Sequence, residues 1–280
     1  MEHTGRYGRV NLVNAIRKWS IEEGYTTVKQ VSSNTANGMN RNKGIFDWTG
    51  SYEAYGTIPY AMPGESQTFS GYKAPDAAGV LSTGQLFGGN IYIISSVITV
   101  NFATNDLISY VNTFGGNGDL TVSAGTQPAD ATLPTDQVPS EGKVTVYDGT
   151  TETRLENITQ AVLTFTREAK TAVNSGSITG TGKATTKRLP GAAIDWSLAL
   201  TSEKGIEEPL LATGTITEFR IYVNATQYWK LQWGILGKRT GLVVDVEGGV
   251  VISQVHNAEM KGYNLGAKGS ISKPGAISFW

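Results

Sequence analysis

The chain has 280 residues, enough for one large domain or for two ordinary ones that each bury a self-sufficient core. Apolar residues make up 39% and charged residues only 17%, and Gly occupies 34 positions; with frequent Thr, Ser, Val and Ile, this favours strands and turns over helices. A formal net charge of −1 excludes the basic excess of a tight nucleic-acid binder, and zero Cys with only His3 and His256 excludes disulfides, thiolate sites, Cys nucleophiles and a His-rich metal centre.

From the N-terminus, Met1 to Arg6 has no apolar core and does not read as a signal peptide, and no stretch approaches the 18 apolar residues of a membrane span. Asn11 to Ser20 opens the first patterned block. Ser32 to Lys43 (SSNTANGMNRNK) is a long polar loop leading into Gly44-Ile45-Phe46-Asp47-Trp48-Thr49. Gly56 to Pro75 carries Pro59, Pro63 and Pro75 and has no room for a long helix. Ile98, Val100 and Phe102 alternate with Thr99 and Asn101, as in a half-buried antiparallel strand. Asn105 to Asn112 has both helical and strand spacings and is assigned as strand. Phe114-Gly115-Gly116-Asn117-Gly118-Asp119-Leu120 follows.

Ser123 to Gly142 contains Pro128, Pro134 and Pro139 and almost no large apolar residue, so it reads as a linker. Residues 1–122 are then one β domain, 123–142 the linker and 143–280 a second β domain. In the second, Ala161, Leu163 and Phe165 alternate with Val162, Thr164 and Thr166. Asn174 to Lys187 is a second long polar loop, again just before an Asp-Trp block, Ala192 to Ser197. Ser202 is a candidate cap for a short helix over Glu203 to Leu211, limited by Pro209. Trp229, Leu231 and Trp233 alternate with Lys230 and Gln232. Leu242 to Val246 and Val250 to Ile252 read as strands joined at Gly248-Gly249.

The halves align as a duplication. Asn11 to Ser20 is matched with Asn157 to Thr166, Gly44 to Thr49 with Ala192 to Ser197, and Phe114 to Leu120 with Leu265 to Ile271, in one order and at slowly drifting offsets. Loops of more than about 12 residues inside a compact domain are functional or disordered. Their recurrence at one place in both halves, 32–43 and 174–187, argues for function.

No catalytic constellation survives inspection. Asp47 and Asp195 could be imagined as the acid pair of a glycoside hydrolase, but they are equivalent positions in two repeats; Trp48 and Trp196 read as core anchors, with each Asp capping a turn. Gly176 to Thr185 (GSITGTGKAT) fails as a phosphate loop: the first glycine position holds Ser177, and Ala184 follows Lys183. Gly115-Gly116-Asn117-Gly118 lacks a following helix, so it is no dinucleotide fingerprint. His256 reads as structural, Trp229 and Trp233 as core with a sugar or base platform as the lesser option, and Lys187-Arg188 and Lys238-Arg239 as solvated turns. No catalytic, cofactor-binding or metal residue is assigned, and the chain is expected not to be an enzyme.

Gly44-Ile45-Phe46-Asp47-Trp48-Thr49-Gly50-Ser51-Tyr52-Glu53, preceded by an extended loop, and Phe114-Gly115-Gly116-Asn117-Gly118-Asp119-Leu120-Thr121 resemble two motifs of the major tail, or tail tube, proteins of long-tailed phages. The resemblance covers roughly 10–121 and 143–272. The second half departs from it: Asp195-Trp196 is kept, but Leu198 and Leu200 stand where the first half has Gly50 and Tyr52, and its last block keeps only Gly266, Gly269 and Ile271.

The resemblance implies tandem β-sandwich or barrel domains, each with at most a short flanking helix and a long loop. It implies a virion protein, assembled in the host cytoplasm, that polymerises into stacked rings forming the conduit for DNA ejection. Its partners would be itself, a tape-measure protein, a tail terminator, a baseplate or tip protein, and transient non-specific DNA, with no membrane. A two-domain chain would need three copies per ring, a pseudo-hexamer, where single domains need six. The two long loops would reach between rings. The alternatives are a distal tail or baseplate-hub component of the same fold, or a carbohydrate-binding β-sandwich or adhesin using the paired tryptophans.

Overall fold

The computed structural model describes residues 8–10, 16–30, 40–56, 62–75, 83–104, 106–125, 142–173, 184–203, 215–223, 228–245, 250–260 and 271–272. These residues form strands and connections and no helix. In the first half the strands are β1 (Gly8–Val10), β2 (Ile16–Gln30), β3 (Asn40–Tyr55), β4 (Ser66–Lys73), β5 (Gln85–Asn101), β6 (Ser109–Gly116) and β7 (Thr121–Ala124). In the second they are β8 (Val144–Tyr147), β9 (Glu152–Leu155), β10 (Ile158–Ala172), β11 (Lys187–Glu203), β12 (Thr215–Tyr222), β13 (Tyr228–Asp245), β14 (Val250–Met260) and β15 (Ile271–Ser272). The protein is mainly β, as its composition and alternating patterns require.

Both halves share one topology. The pairs β1–β4, β2–β3, β3–β6, β4–β5, β5–β6 and β5–β7 recur as β8–β12, β10–β11, β11–β14, β12–β13, β13–β14 and β13–β15, all antiparallel. Strand β9, paired with β8, has no counterpart among the described residues of the first half. The irregularities recur as well. The shift at Ile93/Ser95 in β5 has its counterpart at Leu236/Lys238 in β13, and those at Ile16/Lys18 and Tyr25/Thr27 in β2 correspond to Ile158/Gln160 and Arg167/Ala169 in β10. A bulge bends and twists a strand at one place, so its repetition preserves shape as well as order.

Strand β5 is long because it serves two sheets. Its first half pairs with β4 and β7, its second with β6 and β10; β13 divides in the same way between β12, β15 and β14. The result is a wall in the order β2-β3-β6-β5-β10-β11-β14-β13, with a smaller sheet packed on one face of each half. Phe69 of β4 lies 6.5 Å from Trp48 of β3, and Phe219 of β12 lies 6.4 Å from Trp196 of β11, the same contact in both halves. The core runs through the wall without a break. Tyr52, Asn112, Ser96, Phe165 and Trp196 are successive cross-strand partners over β3, β6, β5, β10 and β11, and all are buried.

The register corrects the sequence alignment. Trp19 stands opposite Tyr52 as Ala161 stands opposite Leu200, so the counterpart of Trp19 is Ala161 and not Phe165. Gly50 faces Phe114 as Leu198 faces Ala258, so Phe114 corresponds to Ala258 and not to Leu265. A Gly–Phe pair has become a Leu–Ala pair. Side-chain volume is redistributed across the two strands, the kind of swap a packed core tolerates.

Other expectations are redrawn. Ser202 and Glu203 end strand β11 instead of opening a helix, and 204–211 lie outside the described residues. Residues 106–108 precede β6 as a loop, and the strand expected there begins at Ser109. Ser123 and Ala124, expected in the linker, belong to β7, while 126–141 lie outside the described residues. Residues 40–43 and 187, expected in the long loops, begin β3 and β11; 32–39 and 174–183 lie outside the described residues. Gly248-Gly249 also lies outside them, between the paired ends Asp245 and Val250.

The Trp48 indole is seated among glycines. A Cβ on Gly116 would meet the indole at Nε1, and one on Gly89 would meet its six-membered ring. The indole N–H donates to Gly118 O at 3.0 Å, and Gly118 has φ 107°, the left-handed region that suits glycine. Gly116→Ala is therefore expected to destabilise the fold by about 1–3 kcal/mol through overpacking. Gly24→Ala, with nothing within 4 Å of the new methyl, should stay within about 0.5 kcal/mol. Urea unfolding of the two variants measures the difference.

Candidate functional site

The feature that sets this chain apart from two separate β domains is the junction between its halves. Strand β10 pairs with the C-terminal half of β5 over Gln160↔Asn101, Leu163↔Ile98, Phe165↔Ser96 and Thr166↔Ser95, making one sheet of two units. A second contact clamps the junction. Phe46 N–H donates to Ala184 O at 2.9 Å, Thr186 N–H donates to Phe46 O at 3.2 Å, and Gly118 N–H donates to Thr186 O at 3.0 Å. The base of the 174–187 segment is thus bound sideways to the neighbouring unit.

Arg188 completes the clamp. It is buried, and its guanidinium donates through Nη2 to Asp47 Oδ2 at 2.8 Å and through Nη1 to Gly116 O. Its own backbone N–H donates to Asn117 Oδ1 at 3.1 Å. A Cβ on Gly115 would strike the guanidinium. Adjacent glycines therefore do separate jobs: Gly115 admits Arg188 from the second half, and Gly116 admits Trp48 from the first.

The residues singled out from the sequence are dispersed. Asp47 and Asp195 are not a pair: Asp47 binds Arg188, while Asp195 lies on β11 opposite Thr166. Neither caps a turn. Both sit inside strands and accept the backbone N–H of the following Trp, at 2.9 and 2.8 Å. Trp48, Trp196 and Trp229 are buried. His256 is on β14 between Leu200 and Arg239, and Trp233 is on β13. Of the 176–185 segment, only Ala184 and Thr185 are described, and Thr185 bridges to Phe46. Lys187-Arg188 and Lys238-Arg239 are not turns: the first pair opens β11 and the second lies within β13. Nothing local marks Arg188, because its partners lie in the other half of the chain.

The wall itself ends in two backbone edges without partners among the described residues. One is the outer edge of β2, which pairs only with β3. The other is the edge of β13 beyond Ile235, where the ladder to β12 ends while β14 continues on the opposite side. These are the counterparts of the edges that β10 and β5 join internally.

A cluster of charge lies on the outer sheet of the second half. Buried Glu218 binds Arg220 and, at 3.2 Å, Lys230; Glu152 binds Arg220 Nη1 at 2.5 Å and accepts from Thr145 at 2.6 Å and Tyr222 at 2.8 Å. Arg220 stacks 4.6 Å from the Tyr147 ring. Burial pushes the Tyr222 hydroxyl up to about 12, helped by the Glu152 carboxylate. The groups satisfy one another, as in a structural brace. No protein-family model matches the chain, and no curated sequence matches it significantly.

Two predictions follow from these ion pairs. Asp47→Ala leaves the Arg188 charge buried with a carbonyl as its remaining partner. The expected loss is about 1–3 kcal/mol, between the exposed and fully buried cases because Asp47 is 40% exposed; Asp47→Ala with Arg188→Met should recover part of it in equilibrium unfolding. For Glu152, burial alone would raise the pKa, but the bonds from Thr145 and Tyr222 and the charge of Arg220 outweigh it and hold the carboxyl below its ordinary value. Its contribution is full above the unfolded value of about 4.3 and is lost as pH falls through the lower folded value. Glu152→Gln should flatten that acid limb in melting curves recorded from pH 7 to 3.

Proposed function

We propose that this chain is a structural subunit of a phage tail tube, and not an enzyme. The observation that carries the reading is the β5–β10 junction: two units of one topology form a continuous wall, and among the described residues the wall ends in unpaired edges at both sides. Exposed strand edges recruit further strands. A heterologous contact repeated with a fixed rotation closes into a ring, and rings that stack give a filament with a lumen. Three chains would supply six units.

The face of the wall turned away from the core suits a conduit. Ser20, Ser51, Thr113, Ser95 and Thr166 are cross-strand neighbours on it, and Ser20 and Ser51 share a 2.9 Å hydrogen bond. This row of hydroxyls carries no charge, where a row of bases would hold the phosphates of DNA, and the charges beside it on the same face, Lys18, Glu22, Asp47 and Glu53, are of both signs. A tape-measure protein in the lumen, a terminator at one end and a baseplate or tip protein at the other are the partners this role requires.

The sugar-binding alternative is disfavoured by the burial of Trp48, Trp196 and Trp229, which leaves none of the three for a platform. A distal tail or hub component would form the ring but not the stack. Negative-stain microscopy of the purified protein separates these outcomes. Hollow fibres built from rings of three chains are expected; isolated rings would favour the hub component, and a monodisperse monomer that binds glycans would overturn the reading.

A further inference from the structure

The internal junction is a template for the contact between chains. The shared bulges fix the correspondence: Ser95 and Ser96 of β5 match Lys238 and Arg239 of β13, because Ser96 faces Asn112 of β6 as Arg239 faces His256 of β14, while Asn112 faces Tyr52 and His256 faces Leu200 in the adjoining strands. On the other side, Phe165 and Thr166 of β10 match Glu23 and Gly24 of β2, because Phe165 faces Trp196 as Glu23 faces Trp48. Transposing Phe165↔Ser96 and Thr166↔Ser95 to the free edges sets Glu23 opposite Arg239 and Gly24 opposite Lys238. Glu22 then stands opposite Thr240 and diagonal to Lys238 on the same face.

Resting on the tube reading, we propose that the free edge of β2 in one chain pairs antiparallel with the free edge of β13 in the next, in the register of β5–β10, with Glu22-Glu23 set against Lys238-Arg239. Two observations support the occupant being a second copy. The internal junction already joins these two edge types by backbone hydrogen bonds. The charge is also placed where choice is needed. Inside the chain, where covalent connection fixes the partner, the four corresponding positions hold Ser95, Ser96, Thr164 and Phe165, none of them charged. At the free edges they hold two acids and two bases, and Glu22 and Glu23 are exposed.

The pattern also rejects the wrong pairings. In a register centred on 22–23, a β2 edge against another β2 brings Glu near Glu, and β13 against β13 centred on 238–239 brings the bases together; like charges across strands are destabilising. Of these contacts, only the head-to-tail one propagates around a ring. Opposite charge also speeds encounter and fixes register.

The Cys-free sequence makes the register directly testable. Glu22→Cys with Thr240→Cys places two thiols opposite each other on one face, within disulfide reach for cross-strand neighbours. Oxidised assemblies should run as covalent multimers on denaturing gels. Glu22→Cys with Arg239→Cys puts the thiols on opposite faces and should not cross-link. Glu22→Lys/Glu23→Lys and Lys238→Glu/Arg239→Glu should each give a folded chain, by circular dichroism, that no longer assembles, and all four changes in one chain should restore assembly. Wild-type fibres with charge-reversed variants that assemble equally well, or with cross-linking at 239 instead of 240, would overturn this pairing and leave the tube intact. A wild-type chain that never assembles would sink both.

Discussion

A β-strand has two edges, and each backbone N–H and C=O along them needs a partner. The C-terminal half of β5 has β6 on one side and finds its second partner only in β10, across the boundary between the halves. That pairing turns two small sandwiches into one wall with a common core, in which Phe165 packs in register with Ser96 on one side and Trp196 on the other. It also creates the asymmetry of the molecule: one edge of each kind is used internally, and one of each is left without a partner among the described residues.

The halves have kept their topology while dividing the detailed work. In the first, Trp48 is held by close glycines and by Gly118 O, and Arg188 arrives from the second half to bind Asp47. In the second, Asp195 keeps the hydrogen bond to the following Trp amide, and Leu198–Ala258 replaces Gly50–Phe114. The Asp-Trp unit is thus a local device common to both, in which the carboxylate satisfies a strand amide while the indole anchors the core. Recognition of Arg188 is an added role that only Asp47 is seen to carry. A ring assembled from such chains would have approximate, not true, sixfold symmetry.

The fold class was legible because period-two alternation reports directly on half-buried strands: Ala161, Leu163 and Phe165 are buried as their spacing demands. The recurrence of the Asp-Trp block was legible for the same local reason. The flanking blocks were misaligned because short apolar-polar patterns match at several offsets, and only hydrogen-bonded register separates Ala161 from Phe165 as the counterpart of Trp19. The helix cap expected at Ser202 rested on hydroxyl chemistry that the end of a strand also accommodates. Arg188 was illegible. Its burial is made by Gly115, Gly116 and Asp47, residues far away in sequence, and a Lys-Arg pair beside a polar loop ordinarily stays in water. The free edges were equally hidden, since an edge is a property of the whole sheet.

Amide hydrogen exchange, comparing assembled with dissociated protein, tests the central claim most directly. Residues 95–101 and 160–166 should be protected in both forms, because their pairing lies within the chain. Residues 18–24 and 236–244 should exchange fast at their outward amides when dissociated and slow to the same protection on assembly. Assembly that leaves both free edges exchanging at their dissociated rates would contradict the account.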